Sequence, residues 1–247
     1  MMNYDPLQAE KDWRSKAARP VKPNRVFPER HCFPHRLVRL RLSEALAAAG
    51  CGNGSRVLDI GCGSGEDLEY ISQVSGNITG VDVSAEAIEA FRARGFMGVV
   101  ADVKALPFPD DSFDYVICSA ILHHLVGQSN LINYLEEFKR VTRQGGYLLA
   151  LEPNAFNISG MLMNIANTVK PGITGLVPHE RALSPLYLKK VFTKAGLTKV
   201  RCITASYTWN RYPLWVSRII SKHENTIRYK KPFCYLGWFC IISGQKT

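Results

Sequence analysis

Two periodicities alternate along the chain. From His35 to Ala49, apolar side chains fall at Leu37, Leu40, Leu42, Leu46 and Ala49, a roughly helical spacing with Gly50 as a stop. Short runs rich in β-branched or apolar residues follow: RVLDI (56–60), NITGVDV (77–83), MGVVAD (97–102), FDYVICS (113–119) and GYLLALE (146–152). Between them the spacing predicts helices over about 65–75, 84–94 and 129–143. Ser84 has the place of an N-cap for the second of these, and Gly95 closes it. Runs that are apolar at nearly every position suit parallel strands covered on both faces. Further on, Ser184-Pro185 opens a helix and Gly196 ends it, and two last strands are expected over about 198–207 and 235–244. The pattern predicts an α/β, open doubly wound sheet whose central strands are parallel. Residues 1–34 read as a basic arm and helical cap, and residues 35–247 as one domain. Inserts over about 153–183 and 208–234, after strands 5 and 6, are long for simple loops and are the natural place for an acceptor site.

Composition narrows the class. Apolar content of 46% with 21% charged residues over 247 positions suits a soluble domain with a sizeable core. The longest apolar run, PFCYLGWFCII (232–242), is too short to span a bilayer and reads as a buried strand. No apolar signal region opens the chain. Seven scattered cysteines without a CxxC pair (Cys32, Cys51, Cys62, Cys118, Cys202, Cys234 and Cys240) argue for reduced thiols, a cytoplasmic setting and no metal site. The net charge of +10 is unevenly spread. Residues 42–180 hold 8 basic and 16 acidic side chains, residues 11–41 hold 10 and 2, and residues 181–247 hold 13 and 1. Two basic arms flank an acidic middle, as a solvated surface or as arms converging on an anionic substrate.

The chemistry starts at VLDIGCGSG (57–65), where Gly61, Gly63 and Gly65 follow the first strand at the edge where open parallel sheets bind ligands. Backbone without side chains can approach a ligand closely and reach positive φ. No Gly-Lys-Ser/Thr follows, which excludes a nucleoside-triphosphate loop. A dinucleotide fingerprint needs a third glycine at position 66, and Glu66 there would sit badly against a pyrophosphate. Asp82 ends the second strand, where a carboxylate can take both hydroxyls of a ribose.

Four stretches in order then resemble the class I (Rossmann-like) S-adenosylmethionine-dependent methyltransferases, particularly the small-molecule group that includes the ubiquinone and menaquinone enzymes. They are VLDIGCGSG, GVDVS (80–84), ADVKALPFPDDSFDYVICSAILHHL (101–125) and RVTRQGGYLLALEPN (140–154). The resemblance covers about residues 35–152, with a weaker match over 179–207. It implies a Rossmann-like doubly wound sheet of about seven strands, mostly parallel with an antiparallel last strand, with S-adenosylmethionine as cofactor and S-adenosylhomocysteine as product. It implies cofactor contacts from Asp59, Gly61, Cys62, Gly63 and Gly65 in the glycine motif. Further contacts would come from Asp82 and Val83 to the ribose, from Asp102 and Val103 to the adenine, and from Ser119 beneath the sulfonium. In such enzymes the protein aligns donor and acceptor and removes a proton where the nucleophile carries one. His123 and His124 are the histidines at the expected place, and an imidazole suits that task. On adjacent positions of one turn the two should point apart, leaving one structural, with His123 favoured as base. Tyr4 is a candidate to close over the cofactor.

The acceptor is less defined. CSAI stands where an amino-directed nucleic-acid enzyme would carry Asn/Asp-Pro-Pro-aromatic, which lowers the RNA reading that the basic arms invite. Met161, Leu162, Met163 and Ile165 suit either an insert helix packed on the core or a lid over an apolar acceptor. The segment 208–231 interleaves Trp209, Tyr212 and Trp215 with Arg211, Arg218 and Lys222, as in a flap packed on the domain with a solvated basic edge or as at a lipid headgroup interface. The expected function is methyl transfer to a small-molecule or amphiphilic, anionic acceptor, with peripheral membrane contact. RNA methylation and a non-catalytic cofactor-binding module are the alternatives.

Overall fold

A computed structural model describes residues 28–169 and 180–247. Most of the N-terminal arm, Tyr4 included, and part of the first insert lie outside the described residues. In chain order the helices are α1 (Glu29–Ala48), α2 (Leu68–Ile71), α3 (Ala85–Arg92), α4 (Leu122–Leu125), α5 (Leu131–Val141), α6 (Ile158–Val169), α7 (Pro185–Lys194) and α8 (Leu214–His223). The strands are β1 (Arg56–Ile60), β2 (Asn77–Asp82), β3 (Met97–Val100), β4 (Phe113–Ser119), β5 (Thr142–Pro153), β6 (Thr198–Ser206) and β7 (Phe239–Gln245). Among the described residues they form one seven-stranded sheet in the order β3-β2-β1-β4-β5-β7-β6. β1 to β5 pair in parallel, and β7 runs antiparallel to both its neighbours, as expected from the sequence.

The apolar runs end up where their patterns put them. β1 and β2 are buried at every position after the first, because helices cover both faces. On one face, Leu135 and Phe138 of α5 and Phe192 of α7 pack against Leu148 and Ala150 of β5. On the other, Leu46 of α1, Ile71 of α2 and Phe91 of α3 pack against Ile117 and Leu149. Buried positions in α5 recur at Leu131, Tyr134, Leu135, Phe138 and Val141, the stripe of a helix with one face on a sheet. Ser84 and Ser184 cap α3 and α7 by accepting from the backbone N–H of Ala87 and Tyr187, both at 3.1 Å. β7 lies between β5 and β6 because its apolar run is buried on both sides, whereas β6 begins exposed, as an edge strand does.

Three expectations shift. The helix expected from His35 begins at Glu29 and passes through Pro34, so it spans the boundary drawn at residue 35. The helix expected over 65–75 shrinks to the single turn of α2, since Gly65 sits at φ +86° and Ser75 turns away to donate to the Ser55 carbonyl (2.6 Å). The last strand starts at Phe239 because residues 233–235 form a 3₁₀ turn.

The first insert also resolves a choice. Asn154 and Leu183 bridge in parallel and close it. Asn164 and Asn167 of α6 point inward, and hydrogen bonds between their side chains and the backbone of Ala182 and Glu180 hold that segment. The apolar side of α6 consequently faces out, with Met161, Leu162 and Ile165 each about half exposed (49%, 50% and 52%). These side chains are not core.

Candidate functional site

Register brings the motif residues to one edge of the sheet. Ile60 pairs with Val81 of β2 and Cys118 of β4, Asp82 pairs with Val100 of β3, and Ser119 pairs with Leu151 of β5. The glycine loop, Asp82, Ser119 and the turn after β3 therefore converge at the carboxyl ends of adjacent strands. β3 ends at Val100, so Asp102 and Val103 lie in that turn. Asp102 accepts from the Lys104 N–H (2.9 Å), Val103 is buried, and Val83 and Ser119 are half-buried.

The loop's shape explains its glycines. Gly61, Gly63 and Gly65 all have positive φ (+68°, +52° and +86°). A Cβ on Gly61 would stand 2.3 Å from the Ile121 side chain. The N–H groups of Gly61 and Cys62 donate to the Val81 carbonyl, at 2.8 and 3.0 Å. Asp82 locks the loop further. Its Oδ2 accepts from the Gly63 N–H and its Oδ1 from the Ser84 N–H, both at 3.0 Å, and the residue is 1% exposed. The carboxylate at the end of β2 is thus a buried brace, and Ser84 does the capping.

Four carboxyl groups crowd this loop. Burial, then the charges of Asp67, Glu66 and Asp82, hold the Asp59 carboxyl well above the usual aspartate range. Burial, then the charges of Asp59, Asp82 and Glu66, push the Cys62 thiol up. Among the described residues no three of these side chains are grouped as metal ligands would be. Such a cradle is hostile to a polyanion and suits a ligand carrying positive charge.

A pH effect follows for the ligand-free protein. Asp59 titrates near 3.8 when unfolded and higher when folded, so the folded state binds the proton more tightly. The stability linked to it is complete below the unfolded value and is lost as pH rises through the folded value. Asp59→Asn should therefore flatten the decline in melting temperature as pH rises above the unfolded value of 3.8, relative to wild type. An unchanged slope would assign the decline to other groups.

β5 supplies a residue that the sequence reading passed over. Glu152 is fully buried and accepts from the N–H groups of Ile121 (3.0 Å), Leu122 (2.7 Å) and His123 (3.4 Å), anchoring α4. The His123 side chain also donates through Nδ1 to Glu152 Oε2 at 2.7 Å. A carboxylate can only accept, so this bond places the proton on Nδ1 and leaves Nε2 as the basic nitrogen. His124 forms a second such pair, through Nδ1, with the buried Glu180. The two rings do not diverge as expected. Their centroids are 4.1 Å apart at 36°, and both residues are buried. An acid closing an otherwise apolar strand, as in GYLLALE, was the signal for Glu152, whereas Glu180 had none because only the folded insert brings it to His124. Asn154, also unforeseen, is fully buried and donates to the Tyr235 and Gly237 carbonyls (2.7 and 2.8 Å), tying β5 to the turn before β7.

Residues 58–150 match the family model described as a methyltransferase domain. Probable tRNA methyltransferase 9B of Bos taurus is 38% identical over 96 residues, covering 39% of this chain and 21% of the relative. Demethylmenaquinone methyltransferase of Mycobacterium sp. (strain KMS) is 37% identical over 109 residues, covering 44% and 46%. The chain thus spans less than half the length of these relatives. Among solved structures, a SAM-dependent methyltransferase of Thermotoga maritima superposes with a TM-score of 0.61 at 19% identity, over 86% of this chain and 92% of that one. At that identity the likeness is one of fold. Residues 58–150 thus resemble a methyltransferase domain, and the whole sheet has the fold of that solved protein.

Proposed function

We propose that this chain binds S-adenosylmethionine and transfers its methyl group to a small-molecule or amphiphilic acceptor. The observation that carries the proposal is the acidic cradle around a bare glycine loop at the carboxyl edge of the sheet, beside a carboxylate-oriented histidine. The residues fit the cofactor, because its positive amino-acid end and sulfonium would relieve the repulsion among Asp59, Glu66 and Asp82, whereas Asp67 already pairs with Arg39 (2.7 Å). Gly61, Cys62, Gly63 and Gly65 would lie against it through backbone, Asp82 and Val83 by the ribose, Asp102 and Val103 by the adenine, and Ser119 below the sulfonium. When bound, S-adenosylmethionine supplies an electrophilic methyl group and is left as S-adenosylhomocysteine. The chain's own part is alignment and proton removal. Glu152 fixes the tautomer and orientation of His123, whose Nε2 takes the acceptor's proton, while Glu180 holds His124 against its ring. Calorimetry with S-adenosylhomocysteine should show one site, and preferential binding of NAD would overturn the assignment. An acceptor screen reading S-adenosylhomocysteine release then tests for turnover. Binding without turnover on any acceptor would favour a cofactor-binding module.

An amphiphilic acceptor, met at a membrane surface, is supported by the outward apolar side of α6 and by α8. There Trp215 and Ile219 are exposed (66% and 54%) beside exposed Arg218 and Lys222. Among the described residues no helix is long and apolar enough to cross a membrane. Each cation near an anionic surface adds about 1 kcal/mol, so co-sedimentation with anionic liposomes should exceed that with neutral ones and fall with salt. Equal, negligible sedimentation with both would remove the membrane reading. Likeness to a relative named as a tRNA methyltransferase, together with the basic arms, supports RNA as the second reading. Tight, salt-dependent RNA binding in the absence of liposome binding would favour it.

A further inference from the structure

A cavity of about 450 Å³ lies away from the glycine loop and His123, between α1 and strands β5, β7 and β6. Strand alternation puts it on the other face of the sheet. Leu151 packs with Val38 and Leu42 of α1, and Tyr147, two pleats earlier, lines the cavity. Glu152, the residue after Leu151, turns the opposite way, to His123.

The lining is cationic. Lys199, Arg201 and Arg228 all contribute, with Tyr147, Tyr229 and one acid, Glu44. That acid is already committed, since Arg41 donates to both its oxygens at 2.7 and 2.9 Å. Arg41 pairs as well with the buried Glu224 (3.0 Å). Arg228 reaches Glu44 only at 3.4 Å and donates from the same nitrogen to the Tyr229 hydroxyl (2.8 Å). Its side chain is 2% exposed, and Nε and Nη1 have no hydrogen-bond partner among the described residues. A guanidinium held out of water with donors to spare is costly unless an acceptor arrives. Two further cations reach the same space from β6. Lys199, Arg201 and Ile203, each two positions from the next on β6, present their side chains to the same face and line the cavity together. Arg41 and Arg228 balance Glu44 and Glu224, which leaves Lys199 and Arg201 without an acidic partner among the described residues.

We propose that this cavity is a binding site for an oxyanion, a phosphate group carried by a small molecule. The group is held by Arg228 from within and by Arg201 and Lys199 at the mouth, and the rings of Tyr147 and Tyr229 border the body that carries it. The shared chemistry is the phosphate, whether free or as the headgroup of a lipid. The site does not depend on the methyltransferase reading, because none of its residues takes part in the glycine loop or the histidine pairs.

The test is calorimetry on the full chain with inorganic phosphate and with monomeric dioctanoyl phosphatidic acid. Both cations at the mouth are exposed, so Lys199→Ser/Arg201→Ser should fold, and its affinity should fall by at least about 10-fold. Lys190→Ser/Lys194→Ser makes the same charge change on α7, which packs on the other sheet face, and should bind as wild type does. Equal affinity for phosphate and the lipid would identify the phosphate itself as the ligand, and much tighter binding of the lipid would identify a headgroup site. Indifference of both ligands to the Lys199/Arg201 change, or equal losses in the two double variants, would overturn the proposal.

Discussion

Replacing His123 with asparagine is expected to lower turnover by roughly 10²–10⁴ while leaving S-adenosylhomocysteine affinity nearly unchanged. Asparagine is the informative replacement because its amide nitrogen can stand near the place of Nδ1 and keep the bond to Glu152, while nothing replaces Nε2. Glu152 continues to anchor the backbone of Ile121 and Leu122, so α4 should stay in place. A melting temperature close to wild type would show this. Rates with the acceptor found by screening, read alongside cofactor affinity, separate loss of a base from loss of a site. Undiminished turnover would move the role to His124 or show that the acceptor needs no base.

The second large effect is expected at Asp82. Asp82→Ala should weaken S-adenosylhomocysteine binding by about 30- to 1,000-fold, equivalent to about 2–4 kcal/mol, through two lost charge-assisted hydrogen bonds. The structure adds a second consequence. The same carboxylate accepts from Gly63 and Ser84, so its removal leaves two backbone N–H groups without their acceptor and lets the loop relax. The melting temperature should therefore fall together with the affinity. Asp82→Asn, which keeps one acceptor oxygen, should recover part of the stability and less of the binding. Wild-type affinity in Asp82→Ala would sink the ribose assignment, whatever its stability.

The relation between the two helices at the site shows how far pattern reading reaches. α5 was legible because its apolar residues recur at helical spacing, and the structure adds a cap from Asn130, which accepts from the Ile132 N–H (3.1 Å). α4 has four residues and no stripe, and what fixes it is a carboxylate on another strand. Likewise α6 looked like core or lid from its methionines. Only the hydrogen bonds of Asn164 and Asn167 decide which side faces in.

By itself, the sequence determined the sheet, its nearly all-parallel direction, the capped helices and the convergence of Gly61, Asp82 and Ser119 on one edge. These features rest on local periodicity and on strand ends, which a linear pattern encodes directly. Tertiary structure alone decided that His123 pairs with Glu152 and His124 with Glu180, partners 29 and 56 positions away. It alone also closed Lys199, Arg201 and Arg228 around a cavity under α1. Such contacts depend on which face each strand turns and on where an insert returns, and neither leaves a period in the chain.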